Sequence, residues 1–211
     1  MKNKKNIYAA AALTAEGWVE DSLITINDQG LVQAIESTKR LQDSEQNSST
    51  SRTWLIPGFV NAHSHSFQYL MAGLAEQKPV NQGQDDFWGW RELMYQTALA
   101  FSAQELTDIA ESAFRKMIQA GYTEVHEFHY LYNKEDGTPY ADDLTLPVAI
   151  IDAAISAGIR IKMCPVFYQQ GGIDIPAEPR QRRFVLESVD RYLAIIDKLV
   201  KKYQNHPMVS I

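Results

Sequence analysis

Two histidines, His63 and His65, follow an apolar run with one residue between them, in L-I-P-G-F-V-N-A-H-S-H. Successive side chains of a β-strand point to opposite faces, so we expect both imidazoles on one face, with Asn61 beside them and Ser64 opposite. Imidazole is a ligand for zinc, iron and nickel, and a catalytic metal site keeps one coordination position for water. The spacing predicts part of a metal site; two surface or capping histidines are the alternative interpretation.

The elements that must position this pair begin with a small β-rich segment. Residues 6–37 contain three short strand-like runs, separated by turns at E-G-W and N-D-Q-G. Residues 38–53 are polar and serine-rich, which predicts a surface loop. The N-terminal lysines and apolar run imitate a signal peptide, but a turn and strand continue the run, so we expect a first strand there. We therefore predict a small β domain at residues 1–54 and a second domain at residues 55–211.

The second domain alternates strands with longer helical patterns. Its predicted helices lie at residues 102–121, 144–157 and 181–204. The first of them begins with a capping box, because Glu105 follows Ser102 by three residues. The chain between His65 and Ser102 is expected to be a long irregular segment. Alternation of this kind predicts a parallel sheet with right-handed crossovers, in which His63 and His65 end a strand where α/β active sites form.

The segment that carries the histidines resembles a known family. L-I-P-G-F-V-N-A-H-S-H is similar to the first barrel strand of the amidohydrolase superfamily, whose members have P-G-x-x-x-x-H-x-H there. The resemblance implies an α/β fold: a partial (β/α)8 TIM-type barrel of about three and a half β/α units, preceded by part of a small all-β domain. It also implies that His63 and His65 are metal ligands. One divalent metal is expected, with zinc as first choice and iron or nickel left open.

Other segments resemble, within that superfamily, the formiminoglutamate deiminase family. They are H-S-H-S-F-Q, D-D-F-W-G-W-R-E-L-M-Y, A-G-Y-T-E-V-H-E-F-H-Y-L and P-V-F-Y-Q. This resemblance implies hydrolysis of the C=N bond of N-formimino-L-glutamate to N-formyl-L-glutamate and ammonia, in histidine degradation. A purine- or pyrimidine-type aminohydrolase of the same superfamily is the alternative activity.

By the same resemblance, Gln68, Arg91 and Tyr130 match substrate-binding positions for a small dicarboxylate. The planar fork of Arg91 suits a carboxylate, which lysine cannot bind in the same way. The alternatives are a surface ion pair of Arg91 with Glu92, a loop amide for Gln68 and a buried core phenol for Tyr130. The sequence also leaves open whether His129 or Tyr130 faces inward, since the alternation of side chains is not reliable at the end of a strand.

Charge and composition exclude other classes of function. The 211-residue chain has a formal charge of −6, which argues against a nucleic-acid-binding surface. Arg180, Arg182 and Arg183 are expected to be solvated near a helix start. No apolar run approaches a membrane span. The single cysteine, Cys164, cannot form an internal disulfide and is expected in the core, which fits a cytoplasmic protein.

The chain is short for the fold that it resembles, because a full (β/α)8 barrel takes about 250 residues. We therefore expect an N-terminal half of a longer enzyme. Its general acid/base and further metal ligands are expected in a missing C-terminal half or a partner chain, so that no catalytic residue is assigned here. The chain alone is expected to be inactive, and its parent to form a homo-oligomer. A non-catalytic half-barrel that needs a partner chain is the remaining alternative.

Overall fold

The computed structural model of the chain describes residues 5–38, 53–75 and 87–211. The chain divides into two compact units, Met1–Gly58 and Phe59–Ile211. The first unit contains one four-stranded sheet, with β3, β2, β1 and β4 adjacent in that order. The strands are β1 (Lys5–Thr14), β2 (Gly17–Ile26), β3 (Val32–Ser37) and β4 (Trp54–Leu55). β1 and β2 form an antiparallel hairpin, and its turn uses Gly17 at φ +114°, a conformation that favours glycine.

The second unit is built on a parallel sheet in which β10, β7, β6 and β5 are adjacent in that order. These strands are β5 (Phe59–Ser64), β6 (Tyr122–His129), β7 (Arg160–Pro165) and β10 (Val209–Ser210). The helices are α1 (Phe87–Ala98), α2 (Ala103–Gln119), α3 (Thr145–Ala157) and α4 (Val189–Tyr203). A small antiparallel hairpin, β8 (Gln170–Gly172) and β9 (Ile175–Pro176), and two 3-10 helices, Ser66–Met71 and Pro179–Gln181, follow strand ends. The predicted α/β fold with a parallel sheet is confirmed, and the sheet is an open part of a barrel.

The main core lies between this sheet and its helices. Buried side chains of β6 and β7 meet those of α2 and α3: Val125, Ile161, Met163, Leu106, Phe114, Ile150 and Ile151. The other face of β6 is less buried and carries Glu124, His126 and Phe128. β6 therefore has one face that packs against the helices and one face that is more polar and more open. No helix among the described residues is long and apolar enough to cross a membrane.

The helix predictions hold where local signals define the ends. The side chain of Ser102 accepts from the Glu105 amide at 3.3 Å, and the Glu105 carboxylate accepts from the Ser102 amide at 2.7 Å. The second predicted helix matches α3, which ends at Gly158 in a left-handed conformation. Capping residues decide these ends through contacts within one turn, which the sequence alone reveals.

Two helices differ from the prediction. α1 was not predicted, because its first turn, F-W-G-W, has low helix propensity, and packing of one face against the core stabilises it. The third predicted helix starts later than residue 181. Ser188 is the N-cap of α4 and accepts from the Arg191 amide at 3.2 Å. Residues 182–187 instead run into the core, where Phe184 is fully buried.

The arginine cluster near this helix is not uniformly solvated. Arg183 is 0% exposed, and its guanidinium donates to the carbonyls of Ala98 and Phe101, both at 2.6 Å, and of Asn133 at 3.2 Å. It also lies over the Phe101 ring. The prediction of a solvated side chain was wrong for Arg183, because it satisfies carbonyls that end α1. The prediction of a core cysteine was also wrong, since Cys164 is only half-buried.

We expect Arg183→Met to lower the free energy of unfolding of the 211-residue chain by about 3 kcal/mol or more. The substitution leaves several buried carbonyls without a donor, and each unsatisfied buried group costs about 1–3 kcal/mol. Urea denaturation followed by circular dichroism measures the change. Arg115→Met is the matched control, because Arg115 lies on the exposed face of α2 in a surface pair with Glu111, and it should change stability by less than about 0.5 kcal/mol. Equal stability of the two variants would contradict the assigned role of Arg183.

Candidate functional site

His63 and His65 lie together at the carboxyl end of β5. Their Nε2 atoms are 3.1 Å apart, and the ring planes are nearly perpendicular. The Nδ1 atom of His65 is 2.8 Å from the Phe128 carbonyl. A carbonyl oxygen can only accept, so Nδ1 carries the hydrogen and Nε2 of the neutral ring presents its lone pair toward His63. Burial lowers the pKa of His65, which favours this neutral form.

The geometry of the pair fits a shared metal ion. Two imidazole nitrogens about 2.05 Å from one tetrahedral zinc ion lie about 3.3 Å apart, close to the observed 3.1 Å. Fixing Nδ1 of a ligand through a backbone carbonyl is the usual way that proteins orient a metal-binding imidazole. Among the described residues, no group of three His, Cys, Asp or Glu side chains could hold a metal. Two imidazoles are one ligand fewer than the three protein ligands that catalytic zinc sites have.

The face shared by the two histidines does not include Asn61. The pairing of β5 with β6 shifts register between Asn61 and Ser64, and such an irregularity changes which face the preceding residues occupy. The Asn61 amide contacts the sulfur of Met117 on α2 at 3.6 Å, and its oxygen accepts from the His63 amide at 3.3 Å. The prediction that Asn61 lies beside the imidazoles was wrong. Ser64 is buried, as expected for the opposite face.

A buried carboxylate on β6 holds the turn that follows His65. Oε1 of Glu127 accepts from the backbone amide of Ser66 at 2.6 Å and from its hydroxyl at 2.7 Å. Burial raises the pKa of Glu127. Together with the Phe128 carbonyl, this carboxylate ties both the ring of His65 and the next backbone amide to β6. Sequence reasoning assigned no role to Glu127, because the contact spans sixty-one residues of chain.

Two predicted substrate-binding residues lie beside the histidines. Nε2 of Gln68 donates to the Tyr130 hydroxyl at 2.9 Å, and the Tyr130 ring is 4.9 Å from the His65 ring. His129 points the other way, into the core, where burial lowers its pKa to about 3. The structure thus brings Tyr130, not His129, next to the histidine pair. Burial raises the pKa of Tyr130, so its hydroxyl keeps its proton.

Arg91 lies on α1, with its guanidinium close to the rings of Trp88 and Tyr95. Its Nε donates to the Tyr95 hydroxyl at 2.7 Å, a bond that raises the pKa of Arg91, and its charge lies 5.5 Å from the centre of the Trp88 ring. Glu92 pairs instead with Arg180. The alternative of an Arg91–Glu92 pair is therefore absent, and none of the ion pairs among the described residues includes Arg91.

A cluster of aromatic rings joins the histidine pair to Arg91. Phe184 is 5.1 Å from the ring of Tyr130, 5.8 Å from that of Tyr95 and 5.5 Å from that of Tyr168. Sequence reasoning missed Tyr95, although it follows Arg91 by four residues and so shares its face of a helix. This spacing places the two side chains on one face only if the segment is a helix, and the sequence does not predict α1.

Comparison with known proteins places this arrangement in a family. Residues 54–209 match the model of the amidohydrolase family. The chain is 38% identical over 194 residues to formimidoylglutamate deiminase of Pseudomonas aeruginosa, covering 92% of this chain and 41% of that protein. It is 23% identical over 195 residues to 5-methylthioadenosine/S-adenosylhomocysteine deaminase of Thermodesulfovibrio yellowstonii, covering 90% and 37%. The chain thus spans about two fifths of the length of these curated relatives.

Solved structures agree with the fold. The crystal structure of an amidohydrolase from Brucella melitensis superposes with a TM-score of 0.84 at 35% identity, covering 97% of this chain and 44% of that one. Atrazine chlorohydrolase TrzN from Arthrobacter aurescens superposes with a TM-score of 0.67 at 20% identity, covering 96% and 44%. At that lower identity the likeness concerns the fold alone.

Proposed function

The chain belongs to the amidohydrolase family, and from that premise we propose that it forms the N-terminal part of a metal-dependent deiminase. The proposed reaction hydrolyses N-formimino-L-glutamate to N-formyl-L-glutamate and ammonia. One observation carries the choice of substrate: Arg91 is a cation outside the ion pairs of the described residues, and an aromatic cluster connects it to a metal-type histidine pair. The name of the Pseudomonas aeruginosa relative supports the same reaction.

His63 and His65 are the residues of this chain that would hold the metal. Their converging Nε2 atoms suit zinc, with iron or nickel as alternatives. When bound, the ion would supply an activated water at neutral pH. The Phe128 carbonyl and Glu127 keep His65 and the turn after it in place, so that the ligand geometry exists before the ion arrives.

The other residues of the site would bind and orient the substrate. Arg91 would form parallel hydrogen bonds with a substrate carboxylate through its planar fork. Tyr130 accepts from Gln68 and keeps a hydroxyl hydrogen to donate, close to His65 and therefore close to the reacting C=N group. No residue of this chain is assigned the transfer of the proton to the leaving ammonia. We propose that this acid/base belongs to a C-terminal part.

A nucleoside or nucleobase aminohydrolase is the competing proposal, and the relative from Thermodesulfovibrio yellowstonii is named for such a reaction. A nucleobase has no carboxylate, so it would leave the charge of Arg91 without a partner on the substrate. The acidic dicarboxylate is favoured because it matches that charge.

The experiment uses an enzyme completed by joining this chain to the C-terminal part of the Pseudomonas aeruginosa relative, called below the joined enzyme. We expect it to prefer N-formimino-L-glutamate over 5-methylthioadenosine and guanine. Arg91→Lys should lower kcat/KM for N-formimino-L-glutamate about tenfold to a hundredfold, because a charge-assisted hydrogen bond contributes about 1.5–3 kcal/mol and lysine loses the fork. Arg115→Lys, on the exposed face of α2, is the control and should leave the rate unchanged. Preference for a nucleobase, or full activity of Arg91→Lys, contradicts the proposal.

A further inference from the structure

Four polar side chains form one hydrogen-bonded group around the Tyr95 hydroxyl: Arg91, Tyr95, Tyr168 and Gln181. Nε2 of Gln181 donates to the hydroxyls of Tyr95 at 2.8 Å and Tyr168 at 2.7 Å. The Gln181 oxygen accepts from the Glu178 amide at 2.7 Å, which fixes the orientation of the Gln181 side chain. Gln181 itself is 1% exposed. A buried amide whose two N–H hydrogens and oxygen are all hydrogen-bonded is a rigid support for the groups that it contacts.

The directions of these hydrogen bonds follow from counting lone pairs. A neutral phenol oxygen has two acceptor sites and one hydrogen. On Tyr95 both acceptor sites are taken, one by Nε of Arg91 and one by Gln181. Tyr95 therefore cannot accept from Tyr168, whose oxygen lies 3.5 Å away. The Tyr168 hydrogen has no acceptor within this group of four side chains and is available for a ligand.

The charge around the Tyr168 hydroxyl favours the binding of an anion. Arg180 also lies over the Tyr95 ring, but Glu92 and Glu178 pair with it. Arg91 keeps its charge and interacts electrostatically with both Tyr95 and Tyr168. Nε of Arg91 donates to Tyr95, and the two terminal nitrogens form the fork, which also interacts with the Tyr168 hydroxyl. The O–H of Tyr168 and this fork are three donors around one cationic position.

We propose that Tyr168 is a carboxylate-binding residue beside Arg91, and that Gln181 is the positioning residue that aims both donors. Gln181 acts on Arg91 through Tyr95 and on Tyr168 directly. The proposal rests on the proposed function for the identity of the substrate, whereas the carboxylate subsite itself is independent of the reaction. A ligand with a terminal carboxylate is the class that the subsite would take.

The test measures binding of glutarate to the 211-residue chain by nuclear magnetic resonance, through the Nε–H signal of Arg91. We expect glutarate to shift this signal and glutaramide, which has the same carbon chain without carboxylates, to leave it in place. Tyr168→Phe keeps the ring contact with Phe184 and should weaken glutarate binding about tenfold, the loss of one charge-assisted hydrogen bond. Tyr122→Phe, at the opposite end of β6, is the control and should bind normally.

Gln181→Glu tests the positioning role. A carboxylate at this position accepts from both phenols instead of donating, so it takes the Tyr168 hydrogen and places a negative charge near Arg91. We expect glutarate binding to weaken more than in Tyr168→Phe, whereas Gln33→Glu on the exposed face of β3 should have no effect. If Gln181→Glu does not fold, Tyr168→Phe decides the proposal alone. Normal glutarate binding by Tyr168→Phe, or no glutarate binding by the unmodified chain, overturns it.

The joined enzyme separates this proposal from the proposed function. In Tyr168→Phe we expect KM for N-formimino-L-glutamate to rise about tenfold while kcat stays within about twofold, the pattern of lost substrate binding. A purely structural defect would lower kcat or the amount of active enzyme instead. If the joined enzyme prefers a nucleobase but the chain still binds glutarate through Tyr168, the proposed function fails and the carboxylate subsite stands. If turnover is confirmed and KM is unchanged in Tyr168→Phe, the subsite fails alone.

Discussion

Replacing His63 or His65 with alanine is expected to abolish turnover by the joined enzyme and to remove its bound metal. Each imidazole supplies one of the two nitrogens that lie 3.1 Å apart. A coordinated ion lowers the pKa of water from about 15.7 to about 7. Losing a ligand would therefore remove the nucleophile itself, whereas a change in a substrate-binding residue would only weaken the binding of the substrate. We expect both variants to lack activity above background at any substrate concentration.

Metal content by mass spectrometry and the rate of ammonia release measure this effect together. Binding of cobalt to the 211-residue chain, followed by its visible absorption, gives a second readout that does not depend on activity. His206→Ala is the matched control, because His206 lies between α4 and β10 and should leave both quantities unchanged. A histidine variant with normal metal content and a normal rate would end the assignment of the pair as ligands.

The 211-residue chain alone is expected to show no measurable hydrolysis of N-formimino-L-glutamate, even with added zinc. Its described residues contain no group of three metal-binding side chains, so a bound ion would be held weakly. Loss of a general acid/base typically costs a further factor of about 10²–10⁴. In addition, the chain covers 41% of the Pseudomonas aeruginosa relative, and an open sheet gives the substrate only one wall.

Ammonia release from the purified, zinc-loaded chain measures this, with the joined enzyme as the positive control. A complementation experiment mixes the chain with a separately expressed C-terminal part of that relative. Activity that appears only on mixing supports a split barrel. Turnover by the chain alone at a rate near that of the joined enzyme would refute the proposal that a C-terminal part supplies the acid/base.

The sequence by itself determined the elements whose signals are local. The capping box at Ser102 and the glycine at position 158 marked the ends of α2 and α3, because each acts within one turn of helix. The common side of His63 and His65 also followed from the alternation of a strand, since only two residues separate them. The alternation of strands and helices was enough to predict the parallel sheet.

Tertiary structure alone decided the features that depend on distant residues. A register shift against β6 turned Asn61 away from the imidazoles, and burial against the helices separated His129 from Tyr130. Arg183 became a core residue because three carbonyls from two distant segments needed its hydrogens. The partner of Glu92 is Arg180, eighty-eight residues away, rather than its neighbour. Local patterns specify conformation over a few residues, whereas burial and polar pairing are decided by whichever segments the fold brings together.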